Sequence, residues 1–540
     1  MARAAAPIIV QKYGGTSVGS AERMTDVANI VRSTLSSNRV IVVLSAMSST
    51  KKTEGTTSRL LEAAKEVLKP NSQRYLEIID IIERGHLRTV EEAVIKGPAY
   101  DAVVSDVKAE CARLRSFMTA AEVIDEISPR SRDVMISTGE KLSARIFAAL
   151  LQSVGVDAIY VSLDKLIEKD FDEKTIDQSF YDYITARLTE VLGSLADSQV
   201  PIVTGYLGPV PGSILTTIGR GYTDLTAALI AVGVKAQEVQ IWKEVDGIFT
   251  ADPRKAPKAR LLPSISPEEA AELTYYGSEV IHPFTMEQLI RARIPIRIKN
   301  AFKPDGNGTV IVPDGWRPPQ HAECLEDVSP RGTRTPKRDI SSPFGSPPRH
   351  PQLSHAAAAS YLGGTNGVTD GDASDSGTKR PTAVTIKDSV IVLNVHSNRK
   401  SVSHGFFAQI FLALDRHGIV VDLIATSEVH VSMALSPNVK EIKLEKALQE
   451  LRKCGTVDVI RNMAILSLVG KQMRNMVGIA GLMFDTLARH NVNIEMISQG
   501  ASEINISCVV EEERANDALT AIHDECILAH CFEEDKQAVS

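Results

Sequence analysis

Apolar positions in the first part of the chain recur in two rhythms. Ile8-Ile9-Val10 and Val40-Ile41-Val42-Val43-Leu44 are short unbroken apolar runs, the pattern of strands buried on both faces. Between them lie Gly14-Gly15 and a stretch from about Ala21 whose Val27, Ile30 and Val31 keep helical spacing. The alternation continues with a helix over 139–155, a strand near 158–161, another at Ile202-Val203 and a helix from Thr223. Its stripe is Leu225, Ala228, Leu229 and Val232; further strands are expected at 239–242 and 296–298. Strands alternating with helices make residues 8–312 one large α/β unit.

Residues 316–381 break the pattern. Pro, Ser, Gly, Thr and Arg dominate, and a segment so poor in apolar side chains cannot offset its ordering entropy. Composition favours a neutral linker over a phosphorylation or docking tether. Beyond it the chain repeats itself. Gly405–Leu414 matches Gly478–Leu487, Arg416-His417 matches Arg489-His490, and Val421–Ile424 matches Ile494–Ile497. Each copy reads strand (Val390–Val395; Ile465–Val469), helix, two alternating strands, helix. Two homologous α+β modules of a split-βαβ kind follow from that order.

Composition narrows the function. The chain has 540 residues, 43% hydrophobic and 24% charged, so its cores can be large. A net charge of −7 argues against a nucleic-acid binder. Six cysteines (Cys111, Cys324, Cys454, Cys508, Cys526, Cys531) lack metal or disulfide-framework spacing. No apolar run reaches membrane-spanning length, and Met1 to Pro7 is too short for a signal peptide; a cytoplasmic protein is expected.

Four clusters carry chemistry. In Lys12-Tyr13-Gly14-Gly15-Thr16-Ser17 a strand ends in a cation, and glycines let an anion approach the backbone before a helix. A plain turn with a surface lysine is the alternative. Arg220, beside two glycines, suits a carboxylate or phosphate fork, while Thr223 reads as a helix cap and Asp224 as its first-turn acid. Glu140, expected in the first turn of its helix, either compensates the dipole or holds an ammonium. Lys243, Glu244, Phe249 and Arg254, around Asp-Gly and Asp-Pro turns, suit a nucleotide or a charged hairpin. All four clusters follow expected strands, where open α/β sheets bind ligands.

The strings KYGGTSVG, STGEKLSARI, GRGYTDLTAALIA, KEVDGIFTADPR and TYYGSEVIHPFTMEQ resemble the aspartate kinases, particularly the monofunctional fungal type. The resemblance spans nearly the whole chain except the insert. It implies an amino-acid kinase fold, a three-layer αβα sandwich over 7–315, then the insert at 316–383. Two ACT domains (βαββαβ, ferredoxin-like) would follow at 384–460 and 461–534. It implies ATP with Mg²⁺ held mainly by phosphates, L-aspartate as acceptor and 4-phospho-L-aspartate as product, on the way to threonine, methionine and homoserine. In it Lys12 serves the transferring phosphoryl, Arg220 the substrate α-carboxylate, Glu140 its ammonium, and Asp224 orients Lys12. Gly14, Gly15 and Ser17 cradle phosphate, and Lys243, Glu244, Phe249 and Arg254 meet the nucleotide. Ser45 lies near the substrate. Lys51 stands where many relatives have a substrate-binding threonine, with Thr50 one residue earlier. His282 takes a structural or phosphate-side role. Ser403, Gly405, Phe406, Phe407, Val421, Asp422, Ser427 and Glu428 would cup an amino-acid effector, threonine in the fungal type, in a homo-oligomer joined through the ACT domains. No resident metal, nucleic acid or membrane partner is implied.

Rival readings are a glutamate 5-kinase or acetylglutamate kinase, a silent amino-acid-binding regulator, and a bifunctional kinase–homoserine dehydrogenase. The repeated modules and GRGYTD argue against the first. The intact Lys12, Glu140, Arg220 and Asp224 argue against the second. The third would need a further dinucleotide-binding unit.

Overall fold

The computed structural model describes residues 6–49, 54–169, 171, 176–214, 218–219, 221–275, 281, 283–312, 380–397, 405–427, 429–437, 439–471, 473–500 and 504–529. These belong to one compact unit. Most of the expected insert lies outside them, as do Thr50, Lys51, Arg220, His282, Ser403 and Glu428.

The first part runs β1 (Ile8–Tyr13), α1 (Ala21–Leu35), β2 (Arg39–Leu44), α2 (Thr56–Glu66), α3 (Arg74–Ala93), α4 (Pro98–Ile124) and α5 (Pro129–Ser153). It continues with β3 (Ala158–Val161), α6 (Gln178–Gly193), β4 (Val200–Thr204), α7 (Tyr222–Gly233), β5 (Glu238–Lys243) and β6 (Ser264–Ile265). It closes with α8 (Pro267–Tyr275), α9 (Pro283–Arg291), β7 (Ile296–Asn300) and β8 (Thr309–Ile311). The eight strands form one sheet in the order β3-β4-β2-β1-β5-β7-β8-β6, parallel except where β7 meets β8.

The unbroken apolar runs are explained by the layers. Along β2, Val40, Val42 and Leu44 enter a core with helices α1–α5, while Ile41 and Val43 enter a second core with α6, α7 and α9 on the other face. Side chains alternate across a strand, so only apolar residues at every position satisfy both faces. A three-layer αβα sandwich results. The helix holding Glu140 starts ten residues earlier than its apolar stripe suggests. Ser128 caps it by accepting from the Ser131 N–H, and Pro129 opens it. Glu140 is therefore in mid-helix, away from the dipole's end, and its first-turn reading is corrected.

The remaining elements are β9 (Ala383–Ser397), α10 (Phe406–Arg416), β10 (Val421–Thr426), β11 (His430–Leu435), α11 (Glu441–Leu451) and β12 (Gly455–Val469). After them come α12 (Ile479–Arg489), β13 (Met496–Ser498), β14 (Asn505–Glu511) and α13 (Glu512–Ile522). Both repeats keep the expected element order, but β9 and β12 are fifteen-residue strands, far longer than expected. They join both repeats in one antiparallel sheet, β10-β11-β9-β12-β14-β13. The second half of β9 pairs with β11 and the first half of β12; its first half pairs with the second half of β12. The sheet bends where Ser389 and Asn462 adopt φ of 61° and 57° and the register shifts. Helices cover one face of each half. The opposite faces close on each other through Val390, Val392, Leu423, Ala434, Met463, Ile465, Met496 and Val509.

The two parts are riveted together. Thr250 Oγ1 lies 2.9 Å from His523 Nε2, both buried, and the Val384 N–H donates to the Thr250 carbonyl at 2.8 Å. Ala251 and Ala256 enter the core under α12 and α13. Glu269 of α8 accepts the Lys471 N–H at 2.7 Å and the Thr382 hydroxyl. Among the described residues no helix is long and apolar enough to cross a membrane.

Candidate functional site

Parallel pairing sets Tyr13 opposite both Leu44 and Trp242, and Leu44 opposite Thr204. The carboxyl ends of β1, β2, β4 and β5 therefore share one edge, the expected place for a ligand. Onto that edge α7 brings Thr223 and Asp224, and α5 brings Glu140. Lys12 Nζ meets Asp224 Oδ1 at 2.7 Å, with 11% of each side chain exposed. Thr223 Oγ1 lies 3.0 Å from Ser45 Oγ and donates to Glu140 Oε1 at 3.3 Å. The Ser143 hydroxyl, one turn after Glu140, donates to the Ser45 carbonyl at 2.8 Å. Lys12, Ser45, Glu140, Thr223 and Asp224 thus form one connected group drawn from four distant stretches of sequence.

Among the described residues the group is short of positive charge. Glu140 is 1% exposed, and burial pushes its carboxyl up to about 7; the Tyr222 and Thr223 hydroxyls, the Tyr206 backbone and Lys12 pull the other way. Its Oε2 has no hydrogen-bond partner among the described residues. Ionising it costs about 3 kcal/mol relative to a solvated carboxyl. That cost is absent below the ordinary carboxyl range and fully present once the pH passes about 7. A cation placed against Oε2 would offset it.

The glycine loop divides its labour. A Cβ on Gly15 would lie 2.3 Å from the Ala46 carbonyl oxygen, so only glycine lets this loop pack on the segment that follows β2. A Cβ on Gly14 would meet nothing within 4 Å, which leaves that side of the loop open. Ser17, 1% exposed, has a hydroxyl without a partner among the described residues.

The other expected residues are placed as follows. Lys243 ends β5 and is half-buried, and Glu244 is exposed. Phe249 forms an antiparallel bridge with Leu261. Arg254 is turned to solvent, 88% exposed, and paired with Asp252 at 2.7 Å. Gly405 caps α10 at φ 89°; Phe406 is buried and Phe407 is 39% exposed. Val421 opens β10 and Ser427 follows it. Asp422 is already engaged within the fold. Its side chain is 2% exposed, held by Lys387 Nζ at 2.7 Å and by the Tyr275 hydroxyl of α8 at 3.3 Å.

Thr223 is also corrected: the cap position belongs to Gly221, which makes no side-chain cap bond, and Thr223 spends its hydroxyl on Ser45 and Glu140. Sequence reading missed Asp133, Ser143, Tyr206 and Tyr222. Asp133 was findable, since it precedes Glu140 by seven residues, two turns along one helix face. Replacing Gly15 by Ala should cost about 1–3 kcal/mol in urea unfolding of the catalytic part, while Gly14→Ala should leave stability unchanged. Equal losses at both positions would mean that the loop yields.

Comparison with known proteins identifies the family. The amino acid kinase family matches residues 7–300, and an ACT domain matches residues 466–526. The aspartokinase of Schizosaccharomyces pombe is 46% identical over 96% of this chain and 92% of its own length. That of Saccharomyces cerevisiae is 45% identical over 95% and 92%. Escherichia coli aspartokinase III, solved in complex with aspartate and ADP, superposes with a TM-score of 0.68 at 26% identity, covering 96% of this chain and 99% of that one. On these matches the chain belongs to the amino acid kinase family, as one of its aspartokinases.

Proposed function

We propose that the Lys12–Asp224–Glu140 group is where this aspartokinase seats aspartate against the nucleotide phosphates. The observation that carries the reading is the buried Glu140 carboxylate with an unpartnered oxygen beside a cation already committed to Asp224. The substrate's α-ammonium supplies the missing positive charge. Its α-carboxylate is assigned to Arg220, with Ser45 and Thr50 alongside; Arg220 and Thr50 lie outside the described residues.

The reaction then needs little acid–base chemistry. The β-carboxylate of aspartate, with an ordinary pKa of about 3.9, is ionised at neutral pH. One of its oxygens attacks the γ-phosphorus of ATP; that O–P bond forms as the bond to the β,γ-bridging oxygen breaks, giving 4-phospho-L-aspartate and ADP. Catalysis is alignment plus positive charge. Lys12, fixed by Asp224, meets the charge on the transferring group. The open side of Gly14 and the free hydroxyl of Ser17 suit phosphate oxygens, with Lys243, Glu244 and Phe249 on the nucleotide side. Arg254 serves there only if it exchanges Asp252 for phosphate. His282 keeps its structural or phosphate-side assignment.

Among the described residues no three His, Cys, Asp or Glu side chains gather as a metal-ligand set. Mg²⁺ suits this arrangement as a passenger on the nucleotide phosphates, where it would neutralise part of their charge. We infer that the product feeds the formation of threonine, methionine and homoserine, in the cytoplasm.

Regulation is assigned to the bent sheet. Escherichia coli aspartokinase III has also been solved with lysine and aspartate; for this chain the fungal resemblance favours threonine. With Asp422 engaged, the effector's ammonium passes to Glu428, with Ser403, Gly405, Phe406, Phe407, Val421 and Ser427 around it. Homo-oligomers through these modules complete the reading.

Two measurements test it. With saturating MgATP, kcat/KM for aspartate should fall about tenfold per pH unit below about 7, because the protonated Glu140 cannot hold an ammonium. Glu140→Gln should lower aspartate kcat/KM at least fiftyfold and flatten that fall while ADP still binds; an unchanged profile would remove Glu140 from the substrate site. Titrating the assay with threonine, lysine and methionine should give inhibition by threonine at the lowest concentration. Stronger inhibition by either other amino acid would reassign the effector.

A further inference from the structure

Asp133 is fully buried near the start of α5, two turns before Glu140 and on the same side of the helix. Both of its oxygens are used. Oδ1 accepts the Ser213 hydroxyl at 2.8 Å, and Oδ2 accepts the Ile214 N–H at 2.6 Å. These are charge-assisted bonds, and they replace the water that burial removed. They hold an awkward stretch of backbone: Gly212 has φ of 80° and Ser213 φ of 152°, a region L-residues seldom adopt.

What Asp133 holds leads directly into the site. The Ile214 carbonyl accepts the N–H groups of Ile218 and Gly219, each at 3.0 Å. Gly219 turns at φ 83°. Two residues later the Gly221 carbonyl accepts the N–H groups of Asp224 and Leu225 at 3.0 and 3.2 Å, opening α7. Thr223 and Asp224, the residues that meet Glu140 and Lys12, stand on that first turn. The surroundings are shared as well. Burial pushes up the Tyr206 and Tyr222 hydroxyls, and Asp133 and Glu140 both add to that rise.

We propose that Asp133 is a positioning residue for aspartate: from inside α5 it fixes Ser213 and Ile214, and through them the approach of the chain to the first turn of α7. One helix thereby sets both sides of the amino-acid pocket, with Glu140 directly and the facing segment through Asp133. The glycine loop at residues 14–15 and the nucleotide segment after β5 take no part in this chain of bonds. The inference rests on the placement of aspartate at Glu140 given above.

The test is steady-state kinetics of Asp133→Asn and Ser213→Ala in the full-length enzyme, beside Glu140→Gln. Asparagine keeps the volume but offers one acceptor where two are used. The expected result is a rise of at least tenfold in KM for aspartate in Asp133→Asn, with KM for ATP within twofold and kcat within about threefold of wild type. Ser213→Ala, which removes one bond and keeps the carboxylate, should shift the aspartate KM in the same direction by less. It carries the test alone if Asp133→Asn does not fold. Equal rises in both KM values, or lowered stability with both unchanged, would overturn the inference, since a merely structural carboxylate behaves so. A loss of aspartate affinity in Glu140→Gln without one in the other two variants would defeat the positioning role alone. No response in any variant would defeat the substrate placement itself.

Discussion

Among the described residues, an imbalance of buried charge organises the candidate site. At the carboxyl edge of the parallel sheet, Asp224 and Glu140 share the single ammonium of Lys12, and the nearer partner, Asp224, takes it at 2.7 Å. Burial pushes the Glu140 carboxyl up to about 7, and among the described residues one of its oxygens has no hydrogen-bond partner. A buried unpaired carboxylate is expensive, by several kcal/mol. A protein keeps such a group where a ligand completes it. In the proposed placement the ammonium of aspartate supplies that charge, and a dicarboxylate without an ammonium would leave Glu140 as it was.

The fold makes this imbalance possible by bringing four strand ends to one edge and two helices in from opposite layers. It also ties that edge to the bent regulatory sheet. Thr250, in the segment after β5, is bonded to His523 and to the backbone of β9, and Ala251 and Ala256 are buried in the regulatory core. Tyr275 and Glu269 hold α8 to the same sheet. An effector that binds two states of this sheet unequally must carry or break these contacts, and a difference of about 1–3 kcal/mol suffices for regulation. Asp422 joins the two parts as well, through Lys387 and the Tyr275 hydroxyl.

Much of this was legible in the residues. The apolar runs of β1, β2, β4 and β5 announced strands covered on both faces, and the repeat at 405–414 and 478–487 announced paired modules. Lys12, Glu140 and Asp224 were recognisable, and the structure joins them through Ser45 and Thr223. Other features are long-range and leave no local trace. Glu140 looked like a first-turn acid because Ser137-Thr138-Gly139 interrupts the apolar stripe just before it; only Ser128-Pro129 marks the true start of α5. Nothing near Asp422 signals Lys387, and nothing near Thr250 signals His523, because each pair is closed by tertiary packing. The length of β9 was hidden by Lys387-Asp388-Ser389 and that of β12 by Arg461-Asn462, polar breaks that in three dimensions are the bend itself.

The most direct test of the account counts protons. Aspartate binding to the enzyme held with a non-hydrolysable ATP analogue would be followed by calorimetry at pH 6 in buffers of different ionisation enthalpy. If the substrate ammonium settles on a Glu140 carboxyl that is protonated in the free enzyme, close to one proton should leave per aspartate bound at pH 6, and almost none above pH 8, with Glu140→Gln releasing none at either pH. Binding at pH 6 without proton release would contradict the account, because the buried carboxylate would then not be what the substrate completes.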